Sequence, residues 1–167
     1  NMINAESVEE QLCMGKKAIE LYQGVFLPKL SEEYWVISMA TYYHSMYFDI
    51  VKKLLRLMEE EKRYSEVEEI CQKALKTDSS DEEIHCFMMR ALIANNKQKL
   101  ASEHYKMTSK YLYDVIGVRP SKEMQDIYEK LQQIQHDHES NIDVIKEELK
   151  EQKLPTGAFL CEYGVFR

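Results

Sequence analysis

Arg56 and Arg90 stand 34 residues apart. Two guanidinium groups presented at adjacent levels of one surface suit capture of a peptide carboxylate, because each offers a planar fork of donors that matches the two oxygens. The alternative for both is an intramolecular or surface ion pair, which contributes little when exposed. Other chemistry-bearing residues are sparse. The four cysteines Cys13, Cys71, Cys86 and Cys161 form no C-x-x-C pair, and their spacings fit no common zinc pattern. They read as reduced, mostly buried thiols. His85 falls on an inner helical face, where a hydrogen bond within the core is expected rather than a metal. His136 and His138 are two apart, so they do not share a helix face and read as a solvent-exposed pair. There is no Gly-rich phosphate loop, no H-E-x-x-H and no serine elbow. The expectation is a protein that is not an enzyme and uses no cofactor or metal.

Composition narrows the partners. The formal net charge of −7 repels phosphate, so direct contact with nucleic acid is not expected. No apolar run approaches the roughly 20 residues that span a bilayer, and the N-terminus lacks a basic-then-apolar leader. A cytoplasmic protein with no membrane contact is therefore expected. With 44% hydrophobic and 31% charged residues the chain is of ordinary globular character, and only 5 Gly and 3 Pro favour long helices.

The elements that must position these residues follow from periodicity. Val8, Leu12, Gly15, Ile19 and Tyr22 mark a first helix over about 7–22. Gly24 and Pro28 break it, and Phe26 and Leu27 between them are expected to plug into the core. Ser31 is the expected cap of a long second helix over about 32–61, with the stripe Trp35, Met39, Tyr42, Met46, Ile50, Leu54 and Leu57 facing the core. Ser65 with Glu68, and Ser80 with Glu83, are capping-box signatures for the third and fourth helices. Asn95-Asn96 separate the fourth from the fifth, which ends at Gly117. Ser121 caps a sixth, whose stripe from Met124 to Leu149 predicts a helix to about Lys153, with a polar stretch at 135–141 where it bends or runs through solvent. Residues 154–167 turn aromatic and β-favouring, and read as a linker or the truncated start of a following domain.

A displacement of 34 residues pairs Leu54 with Met88, Met58 with Leu92, Val67 with Ala101, Cys71 with Tyr105 and Ala74 with Thr108. That is the tetratricopeptide period. The predicted fold is all-α: a tetratricopeptide-like right-handed superhelix of antiparallel helix pairs with a long C-terminal helix. The first helix of each pair lines a concave groove in such arrays. The groove positions are then Asp49, Lys52 and Arg56 from one unit, and Glu83, Cys86 and Arg90 from the next. Lys62 and Asn96 occupy the turn position usually held by glycine, and Ser79 stands where a proline usually closes the repeat.

Three ordered motifs extend the likeness. Tyr22-x-Gly24-x-Phe26-Leu27-Pro28 followed by Trp35 resembles the opening of the bacterial transcriptional activator domain of antibiotic-regulatory-protein-type regulators. Asp78-x-x-Asp81-Glu82-x-x-His85-x-x-Met88-Met89-Arg90-Ala91-Leu92 is similar to its central signature, and Gly117-Val118-x-Pro120-Ser121-x-Glu123 to its closing one. The motifs cover about residues 18–131, and such a domain is expected over residues 1–153. The resemblance also implies partners: a winged-helix DNA-binding domain of the same polypeptide, the domain itself, or transcription machinery such as RNA polymerase. The extended sixth helix suggests a homodimer. A stand-alone tetratricopeptide-type peptide-binding scaffold, unrelated to transcription, is the alternative.

Overall fold

The first helix, α1 (Val8–Leu21), starts where Ser7 accepts a hydrogen bond from the Glu10 amide at 3.2 Å, and Glu9 and Glu10 complement the exposed amides of its first turn. A 3-10 turn over Pro28–Leu30 leads into α2 (Tyr34–Glu60). Then come α3 (Tyr64–Thr77), α4 (Glu82–Ala94), α5 (Gln98–Tyr111) with a wide π turn over Leu112–Ile116, and α6 (Lys122–Glu151). The computed structural model describes residues 7–22, 24 and 26–151, and every regular element among them is helical. The expected linker at 154–167, and Cys161 within it, lie outside the described residues. One compact unit ends at Leu131, and a second begins at Gln132. No helix among the described residues is long and apolar enough to cross a membrane.

Within the first unit each helix packs on the next, α1 on α2 through to α4 on α5, and α2 also meets α4. Contact between alternate helices as well as neighbours is the arrangement of stacked helix pairs. The 34-residue pairs occupy equivalent core positions: Leu54, Met88, Met58, Leu92, Val67, Ala101, Cys71, Ala74 and Thr108 are all buried, and Tyr105 half-buried.

The turns repeat with the core. Lys62 and Asn96, again 34 apart, both adopt left-handed backbone, with φ of 58° and 59°. The Arg63 amide donates to the Met58 carbonyl at 2.8 Å, and the Lys97 amide to the Leu92 carbonyl at 2.8 Å. Each turn satisfies the last carbonyls of its helix in the way a C-terminal glycine normally allows. Three capping expectations are corrected. Ser31 closes the 3-10 turn instead of capping α2, which begins after Glu33 with no side-chain cap bond. Helix α3 starts two residues early, after Arg63 instead of Ser65, and Glu68 is drawn away to Lys97 and Asn95. Helix α4 is capped by Asp81, whose carboxylate accepts from the Ile84 amide at 3.2 Å, while Ser80 bonds Asp78. A carboxylate at a helix N-terminus outcompetes a hydroxyl because it also answers the helix dipole. Ser121 does cap α6, accepting from the Met124 amide at 3.4 Å.

The second helix departs from its expected stripe. Its buried residues are Val36, Tyr47, Phe48, Val51, Leu54, Leu55 and Met58, whereas Trp35, Met39, Tyr42 and Met46 are exposed. At 27 residues it is about 40 Å long, against about 20 Å for the 13- and 14-residue helices beside it. Only its C-terminal half has neighbours on several sides. Phe26 and Leu27 likewise stay at the surface side of the core: Phe26 is half-buried against Tyr43, with ring centroids 5.3 Å apart, and Leu27 is exposed.

Candidate functional site

The six groove positions lie on α2 and α4, and most join a ladder of ion pairs running from α2 through α4 to α6. Lys52 on α2 reaches Asp81 at 2.8 Å and Glu83 at 3.1 Å. Burial works against its charge, but the two carboxylates outweigh burial and hold the ammonium above its ordinary pKa. Arg56 donates to Glu83 at 2.7 Å. Burial would raise Glu83, yet Arg56 and Lys52 bring it below the usual carboxylate value. Arg90 on α4 bonds Glu59 of α2 at 2.6 and 3.2 Å, and Glu123 of α6 at 2.9 Å, with its guanidinium 4.5 Å from the Phe87 ring. Arg56 and Arg90 each already hold a carboxylate that links α2 and α4. Asp49 is exposed on α2.

Cys86 sits apart from the ladder, 1% exposed in a cluster with Met89, Met124 and Ile127. Burial pushes its thiol up to about 12, so it is an inert core thiol at neutral pH. Cys71 is buried and shifted upward for the same reason.

A polar cluster between α4 and α5 was only half visible in the sequence. His85 contacts His104 at 2.8 Å and the Ser79 carbonyl at 3.0 Å, and Thr108 lies 3.2 Å from its ring. A carbonyl only accepts, so His85 Nε2 carries the proton and its Nδ1, with one lone pair, accepts the N–H of His104, while the Thr108 hydroxyl lies beside it. One repeat earlier the same three positions are Val51, Ile70 and Ala74, all buried. The 34-residue displacement was the available signal for His104, since it maps that residue onto a core isoleucine.

The exposed half of α2 is a second notable surface. Trp35, Met39, Tyr42 and Met46 follow spacings of four, three and four, so they form one stripe. Trp35 is 52% and Tyr42 61% exposed. Residues 34–48 include no Lys, Arg, Asp or Glu, an unusual composition for four turns of solvent-facing helix.

The model of the bacterial transcriptional activator domain family matches residues 2–132. The chain belongs to that family. No curated protein matches it significantly. The matched span covers the whole described helical array up to the boundary of the first compact unit at Leu131. This bacterial transcriptional activator domain is therefore a transcription-related regulatory module, and its family is not an enzyme family. Among the described residues no cluster of three His, Cys, Asp or Glu side chains is placed to hold a metal.

Proposed function

We propose that this activator domain is the protein-interaction half of a bacterial transcription regulator, acting in the cytoplasm through contacts with a winged-helix DNA reader of its own polypeptide, with RNA polymerase, or with a second copy of itself. The observation that carries the reading is the uncharged, aromatic stripe Trp35–Met39–Tyr42–Met46, added to family membership. Exposed apolar surface of this extent is stabilised by a covering partner. In a regulator carrying this domain, replacing Met39 and Tyr42 together by lysine is expected to abolish reporter activation while promoter binding and helicity persist. Activation at the unmodified level would overturn the reading.

The charged face of Asp49, Lys52, Arg56, Glu83, Cys86 and Arg90 is the second contact we propose. Within it Arg56 is the favoured residue, because its side chain is 58% exposed and a partner carboxylate can exchange with Glu83 there. Arg90 and Lys52 hold the helices that present it, and Cys86 packs beneath. Arg56→Ala should weaken activation without loss of stability. An equal effect on stability and activation would assign Arg56 to the scaffold alone. A stand-alone peptide-binding scaffold would show the same surface dependence with no effect on any promoter.

A further inference from the structure

The end of α1, Tyr22, Gly24, Phe26 and Leu27, and one side of α2 border a half-open cavity of about 490 Å³. Its walls are Tyr22, Phe26, Tyr43, Met46, Tyr47 and Ile50, closed from α1 by Ala18. Among the described residues that line it none is charged. The aromatic walls are ordered by one another: Tyr22 and Tyr47 stack with centroids 4.3 Å apart, and Phe26 tilts against Tyr43 at 5.3 Å. The Tyr47 hydroxyl is hydrogen-bonded to Thr77 of α3, leaving the ring as the part this tyrosine offers to the cavity. A smaller cavity of about 270 Å³ shares Tyr22, Gly24, Phe26 and Tyr43, so the space continues past the Phe26 ring.

The backbone of the wall is unusual. Gly24 has φ of 101° and Leu27 φ of 44°. A leucine adopts left-handed backbone only where its surroundings enforce it.

Size and chemistry select the occupant. The volume lies in the range of small-molecule sites. A buried cation would lack a carboxylate partner, and an anion a basic one. Flat aromatic walls with aliphatic Met46 and Ile50 between them match a planar ring compound that is itself uncharged.

We propose that this cavity is a binding site for an uncharged, apolar compound of one to three fused or linked rings. The proposal does not rest on the partner contacts argued above, although Met46 belongs both to the exposed stripe and to the cavity wall. The test uses the probe N-phenyl-1-naphthylamine and the whole chain. Trp35 is the single tryptophan and lies 11 residues before Met46 on α2, about 17 Å along the helix axis, within energy-transfer distance of a probe in the cavity. Titration is expected to give saturable probe fluorescence at one molecule per chain, with parallel quenching of Trp35. Ala18→Phe, which fills the cavity from α1, should lower affinity by about tenfold or more. Should that variant lose helicity, Ala18→Leu replaces it with the same direction of effect. Trp35→Phe should abolish the quenching signal and keep the affinity. Absence of saturable binding would overturn the proposal. So would several probes per chain, the sign of adsorption along the exposed stripe, or an affinity unchanged in a helical, cavity-filled variant.

Discussion

Two histidines buried against each other share a single workable proton pattern, with both rings neutral. Burial holds His104 down at about 4, aided by His85, against an ordinary value of 6.5. Burial lowers His85 as well, against the opposing pull of the Ser79 carbonyl, Asp81, Glu82 and Asp78. A histidine whose folded pKa is depressed contributes full stability above its unfolded value. That stability is lost as pH falls from 6.5 toward about 4, because the unfolded chain takes up the proton first. Denaturant midpoints should therefore drop between pH 7 and pH 5 for the native chain. The triple replacement His85→Val, His104→Ile and Thr108→Ala, which installs the residues of the preceding repeat, should flatten that dependence. A drop of the same size in the triple variant would dismiss the histidine pair as its source. Arg90 belongs to the same scale. Arg90→Ala leaves Glu59 and Glu123 facing each other without their cation, and should cost about 1–3 kcal/mol in urea unfolding, with Arg90→Lys recovering part.

Among the elements, the two matching turns carry the repeat more faithfully than the side chains do. Left-handed backbone costs a residue with a Cβ about 1–2 kcal/mol, less for asparagine, which tolerates it. Lys62→Gly should accordingly raise stability by about 1 kcal/mol, and Asn96→Gly by less. Loss of stability in Lys62→Gly on thermal unfolding would contradict this account of the turn. These turns were legible only as departures, since Lys62 and Asn96 replaced the expected glycine and the backbone kept the glycine conformation anyway. Caps were legible where one side chain had no competitor, as at Ser121. They were misread at Ser65 and Ser80, where Glu68 and Asp81 found stronger partners from other helices or a stronger role of their own.

At the scale of the whole molecule, the charge of −7 and the 30-residue α6 are the features from which association is expected. We expect the purified chain to give no shift of duplex DNA at physiological salt, because acidic surface repels phosphate. Salt-sensitive, sequence-independent retardation would oppose that expectation. The second unit, from Gln132 onward, exposes Ile134 and Ile142 on one helix. We propose that it mediates a dimer. Light scattering of Ile134→Asp/Ile142→Asp should then report the monomer mass where the native chain reports twice it. An identical mass for both proteins would remove α6 from the interface.

Helicity, the order of the helices and the 34-residue repeat were set by the sequence itself, because apolar spacing and the scarcity of glycine and proline act locally. So was the family, whose three motifs are contiguous strings. The exposure of the Trp35–Met46 stripe was not, since an apolar helix face reads the same whether or not a neighbour is long enough to cover it. Nor was the pairing of Arg56 and Arg90 with Glu83, Glu59 and Glu123, which joins residues 27 to 33 positions apart on different helices. Cys86 and Arg90 share a sequence stripe and part company in space, because α6 covers one and leaves the other at its rim. Spacing tells which residues share a face, and only the packed neighbours decide whether that face meets a helix, a carboxylate or solvent.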